Sequence, residues 1–155
     1  MTIKLSKTKF VAGCQCLKRL YLQVHQPKLA AEPDAAAEAT IEQGREVGLL
    51  ARKLFPGGIE VSSTKLDQAI RMTRELVANP EVPAIFEGVF EHDGVLVRAD
   101  VVQRREENLW RLLEVKSASD LKDYYVQDVA IQSYVLSRSG FPHGKMKPTH
   151  ECRRP

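Results

Sequence analysis

Asp100, Glu114 and Lys116 are the residues whose types and spacing could do chemistry. Glu114 and Lys116 stand two apart in LLEVKSAS, at the end of an apolar run. Asp100 closes VLVRAD, fourteen residues before Glu114. Side chains alternate across a strand, so a Glu-x-Lys step puts a carboxylate and an ammonium on one face. Carboxylates gathered there are hard oxygen ligands that suit magnesium or manganese. An ammonium one pleat away can orient an attacking water or stabilise charge developing on a phosphate. Glu-x-Lys alone recurs often by chance. An Asp on a strand paired with it makes the combination more specific, and its chemistry is that of phosphodiester hydrolysis.

The strands that must position these groups begin at Ala84, where the apolar period becomes two. IFEGVFEH, VLVRADVVQRR and LWRLLEVKSA read as a three-stranded antiparallel meander. Asp93-Gly94 is a two-residue hairpin signal, pairing His92 with Val95 and setting Glu87 opposite Asp100. With the next loop centred near Glu106 or Glu107, Asp100 falls opposite Leu112 or Glu114. Either parity brings Glu87, Asp100, Glu114 and Lys116 to one face. Facing carboxylates repel, and burying them unpaired costs several kcal/mol or shifts their pKa. A divalent cation held by Glu87, Asp100 and Glu114 is one escape. An exposed polar face with a chance cluster is the other.

Around the meander the pattern is helical. Ser6 can cap a helix running to about Val24, with Phe10, Leu17, Leu20 and Tyr21 as its apolar stripe. Its basic face, with Lys7, Lys9, Lys18 and Arg19, reads equally as solvated or as a phosphate contact. A loop over 27–34 precedes an alanine-rich helix from about Asp34 to Leu54, where Gly44 and Gly48 lie one turn apart. FPGG ends that helix. Ile59 to Val61 is a short strand, and 64–78 an amphipathic helix with a structural role. Residues 120–137 form a last helix, apolar around much of its girth, that packs on the sheet. The order predicts an α/β layer fold.

The chain has 155 residues, 43% hydrophobic and 28% charged, which suits one soluble domain with a real core. No apolar stretch reaches the length of a membrane span. The first ten residues have no signal-peptide core, so the expected location is cytoplasmic. A net charge of +3 allows a nucleic-acid partner without demanding one. Cys14, Cys16 and Cys152 form no disulfide framework; packing is the leading reading and ligation the second. His25, His92, His143 and His150 are scattered, Trp110 reads as packing, and Arg104 and Arg105 mark a hairpin tip.

VLVRADVV with Asp100, LLEVKSAS with Glu114 and Lys116, DVAIQSYVL with Gln132 and Tyr134, and GCQCLKRLYL together resemble the PD-(D/E)XK nuclease superfamily. Within it, the chain is similar to the RecB-type branch that includes the CRISPR-associated exonucleases, over about Leu5 to Gly140. The resemblance implies a restriction-endonuclease-like core: a central mixed sheet with the antiparallel meander, flanked by helices. It implies metal ligation by Asp100 and Glu114, service to the nucleophile by Lys116, and support of the site or contact with DNA by Gln132. Tyr134 lies only two residues from Gln132, so it reads as packing. Where the branch carries a ligand histidine in the early helix, this chain has Gly48. The cofactor expected is Mg2+ or Mn2+; an iron–sulfur cluster is not, because the cysteines are too few. Residues 1–140 would form the nuclease-like domain. Residues 141–155 would form an irregular, truncated-looking tail that leaves room for a further domain or partner. The alternative reading is a non-catalytic nuclease-like module that binds nucleic acid or a protein.

Overall fold

The computed structural model describes residues 4–106, 109–117 and 123–141. The expectations placed on the tail, including His143, His150 and Cys152, lie outside the described residues.

Among the described residues, five strands and five α-helices form an α/β fold with a mixed sheet flanked by helices. In chain order they are β1 (Leu5–Ser6), α1 (Lys7–Gln15), α2 (Leu17–His25), α3 (Ala35–Arg52), β2 (Ile59–Glu60), α4 (Leu66–Ala78), β3 (Ala84–His92), β4 (Val95–Arg104), β5 (Trp110–Leu113) and α5 (Asp123–Arg138). The meander β3–β4–β5 is antiparallel. β2 adds to β3 in parallel, while β1, also parallel, shares the outer edge of β4 with β5. The Asp93-Gly94 turn closes the hairpin with positive φ at both residues, 48° and 74°, and His92 faces Val95. That conformation matches the twist of the flanking strands.

The expected first helix is two. Cys16 is extended, with φ −162°, and separates α1 from α2. Ser6 caps α1 through its side chain, which accepts from the Lys9 N–H. After the break, α2 folds back on α1. A Cβ at Gly13 would stand 2.9 Å from Leu20 Cδ2, so only glycine fits that approach without a shift. The apolar stripe therefore does not continue: Phe10 packs on the core, whereas Leu17 and Tyr21 are exposed. α3 is capped by Asp34, whose side chain accepts from the Ala37 N–H. It buries none of its residues and leaves Ile41, Leu49 and Leu50 exposed.

α4 and α5 both pack on β3, and α5 also contacts β4 and α1. The main core joins Ile85, Val89, Phe90, Val97, Val102, Trp110, Leu112, Val135 and Leu136. Ala84, Phe86, Val101 and Leu113 form a second, smaller cluster. Thr73, 1% exposed, ties α4 to the sheet: its Oγ1 accepts from Val89 N–H at 2.9 Å and donates to the Ala69 carbonyl at 2.8 Å. Thr73→Val keeps the shape and orphans a buried N–H. It is expected to cost roughly 1–3 kcal/mol in denaturant unfolding, with an unchanged slope against denaturant. Arg104, expected at an exposed tip, instead donates to the carbonyls of Val77, Asn79 and Val82 and covers the Trp110 ring at 4.1 Å. Trp110 is buried, as its packing role requires.

Candidate active site

By count along the hairpin, Glu87 stands opposite Asp100, yet the ladder passes over this pair, running from Gly88–Ala99 directly to Phe86–Val101. Glu87 has φ 56°, in the left-handed region, where a side chain costs about 1–2 kcal/mol. The alternation slips by one residue there. Phe90 with Val97 faces the main core, and so does Ile85 with Val102, which strict alternation from Phe90 would put on the opposite face. Strict alternation therefore does not run unbroken through Glu87. The kink turns Glu87 and Asp100 into a recess of about 600 Å³ under α3, lined also by Gly44, Arg45, Gly48, Arg52 and Val115. Gly44 and Gly48 admit no neighbouring element: a Cβ at either would meet nothing within 4 Å. Glu87→Gly is expected to stabilise the fold by about 0.5–1 kcal/mol, read as a higher melting midpoint, because glycine carries no left-handed penalty.

β5 ends at Leu113, so Glu114 and Lys116 lie just beyond it and not on a strand as expected. The β4–β5 register, Val101 with Leu113, extrapolates to Asp100 opposite Glu114, the second of the two alternatives. The Asp100 side chain substitutes for ladder bonds there: Oδ2 accepts from Val115 N–H at 2.8 Å. Burial pushes the Asp100 carboxyl up to about 6. The Glu114 charge adds to the rise, while the Val115 bond and Lys7 oppose it.

The Glu114 side chain is 3% exposed and fully engaged. Its Oε1 takes Lys116 Nζ at 2.7 Å and Lys7 Nζ at 2.9 Å, and its Oε2 accepts from Gln132 Nε2 at 2.6 Å. Burial works against its charge, but Lys7 and Lys116 together outweigh burial and hold the carboxyl below the ordinary glutamate range. Lys116 also reaches Asp128 Oδ2 at 2.9 Å. Burial disfavours its charge, but Glu114 and Asp128 drive the ammonium well above the usual lysine value. Two carboxylates thus hold Lys116 as a cation. Gln132 is wholly buried, and its Oε1 has no partner among the described residues. Tyr134, expected to pack, is 46% exposed beside His92.

The structure therefore joins Glu114, Lys116 and Gln132 by direct side-chain bonds, with Asp100 reaching them through the Val115 N–H and Glu87 lining the same recess as Asp100 but held by Arg52 at 3.5 Å. Among the described residues, no three Asp, Glu, His or Cys side chains form a ready ligand set. Sequence reasoning missed two members, Asp128 and Lys7. Asp128 lies one helical turn before Gln132, a spacing that shares a face and could have been read. Lys7 comes from α1 and carries no such signal. Cys14 and Cys16 are exposed and free. No described helix is long and apolar enough to cross a membrane. In comparisons with known proteins, the chain matches no family model, no curated protein and no solved structure.

Proposed function

We propose that this chain is a divalent-cation-dependent nuclease that hydrolyses phosphodiester bonds in DNA, built on a restriction-endonuclease-like core. The observation that carries this reading is the Asp100–Glu114 pair: two carboxylates, mostly buried, that resist being charged together, with a fixed ammonium 2.7 Å from one of them. Perturbed carboxylates beside a recess are a mark of functional sites.

The donor chemistry fits Mg2+ or Mn2+. Asp100 and Glu114 supply hard oxygens, and their mutual repulsion is relieved by a dication. Gln132 Oε1, buried and without a partner among the described residues, gives an acceptor for a water beside Glu114. Glu87 would serve as a third ligand once freed from Arg52. The cation, when bound, would neutralise phosphate charge and act as a Lewis acid. This chain's own residues do the rest. Asp100 and Glu114 would hold the cation, and Gln132 fixes the Glu114 carboxylate by hydrogen bonding. Lys116 donates to the attacking water or to the phosphate oxygen on which charge grows. Arg45 and Arg52 at the recess wall offer contacts to the DNA backbone.

One observation favours the second reading, a non-catalytic nuclease-like module: two lysines already satisfy Glu114 Oε1. Cleavage decides between them. The nuclease reading expects degradation of linear or single-stranded DNA at millimolar Mg2+ or Mn2+, arrested by a chelator. It also expects a melting midpoint that climbs with cation concentration. DNA that stays intact, with a midpoint insensitive to both cations, rejects it.

A further inference from the structure

Two ammonium groups share one carboxylate oxygen in this cluster, and they are not held equally. Lys116 Nζ lies 2.7 Å from Glu114 Oε1 and 2.9 Å from Asp128 Oδ2, with the Tyr125 ring centroid 5.3 Å away. Lys7 Nζ lies 2.9 Å from the same Glu114 oxygen but 3.8 Å from Asp128. A dication drawn to Asp100 and Glu114 would meet both ammoniums at close quarters, and like charges at such spacing repel strongly in a poorly hydrated site. One of them must give way. Lys116 can surrender Glu114 and keep Asp128. Among the described residues, Lys7 has only the 3.8 Å contact to Asp128 to fall back on.

We propose that Lys7 is a displaceable counter-ion, which neutralises Glu114 until a divalent cation takes that carboxylate and which then lets go. The inference rests on the metal-binding reading above. The exit is built in. Lys7 lines a recess of about 350 Å³ with Thr8, Gln15, Arg19, Lys116 and Asp128, so side-chain rotation suffices. Its backbone need not move: it opens α1 directly after the Ser6 cap. Until the cation arrives, a buried carboxylate stays paired, which avoids the large penalty of an isolated buried charge. The consequence is a metal site whose affinity is lowered by its own lysine.

The test uses the intact chain and MnCl2, with bound Mn2+ counted by electron paramagnetic resonance. A brief reductive methylation is mapped by peptide mass spectrometry with and without Mn2+. Methylation of Lys7 should rise several-fold when Mn2+ binds, and Lys116 should not change. Bound Mn2+ with unaltered Lys7 labelling overturns the inference and leaves the metal reading standing. Absence of bound Mn2+ overturns both. As a second measurement, Lys7→Met should bind Mn2+ about tenfold tighter, the value of one charge-assisted hydrogen bond no longer competing. Equal or weaker binding counts against the inference.

Discussion

Asp100→Asn is expected to make the protein more stable at neutral pH and, in the same step, to abolish divalent-cation binding. Asp100 sits in its fold at an energetic cost. Its carboxyl is pushed up to about 6, mainly by burial and then by the Glu114 charge. A folded-state pKa above the unfolded one means the native state binds the extra proton. Stability tied to this group is therefore greatest in acid. It is lost progressively as pH rises from the ordinary carboxylate range through about 6. Asparagine removes the charge and keeps an amide oxygen for the Val115 N–H. The full shift sets a ceiling of about 3 kcal/mol, so a gain of roughly 1–3 kcal/mol at pH 7–8 is expected, vanishing near pH 4. Urea titrations at several pH values read both the size and the slope. Protons and metal compete for the same carboxylate, so Mn2+ affinity in the parent should fall as pH drops below about 6. A variant that is less stable at pH 7–8, or that still binds Mn2+, would remove Asp100 from the proposed site. A gain in stability with loss of function is the trade expected where a strained charge is retained for chemistry.

How much of this was legible in the sequence depends on whether the cause was local. The Asp93-Gly94 turn is local, and from it the hairpin register follows by counting. The helix starts at Ser6 and Asp34 are likewise written in single capping side chains. Features set by packing were not legible. Nothing in KTKFVAGCQCLKRLYL marks Cys16 as a break: the periodicity runs through it, and the interruption shows only when Gly13 and Leu20 meet. The left-handed kink at Glu87 hides inside an unbroken strand pattern. Strict alternation does not carry through Glu87, and it cannot be counted to Glu114, which lies beyond the end of β5. β5 stops at Leu113, so the link from Glu114 to Lys116 is a shared ion-pair cluster and not a pleat. Lys7 is the clearest limit. Its partner lies 107 residues away, and only the docking of α1 beside β4 and α5 brings them together.

Lys116→Met is expected to reduce cleavage by about 10²–10³-fold at saturating Mg2+, the usual loss when one preorganised electrostatic donor is removed. Methionine retains an apolar stem beside the Tyr125 ring and lacks only the ammonium. The fold should survive, because Glu114 keeps Lys7 at 2.9 Å and Gln132 at 2.6 Å. Asp128 is left with Lys7 at 3.8 Å, a weaker pair. A modest fall in melting midpoint is therefore expected, without loss of the cooperative transition. Lys116→Arg separates charge from chemistry. A guanidinium restores the attraction to Glu114 and Asp128, and the midpoint should return close to that of the parent. Cleavage should not return with it, because a planar fork cannot occupy the position of a compact ammonium beside Glu114 Oε1. Single-turnover cleavage, run next to thermal melts on the same preparations, supplies both readouts. Cleavage by Lys116→Met at the parent rate would reduce Lys116 to a structural ion-pair partner. Recovery of stability and cleavage together in Lys116→Arg would mean that positive charge alone is required, and the donor geometry assigned to Lys116 would fall.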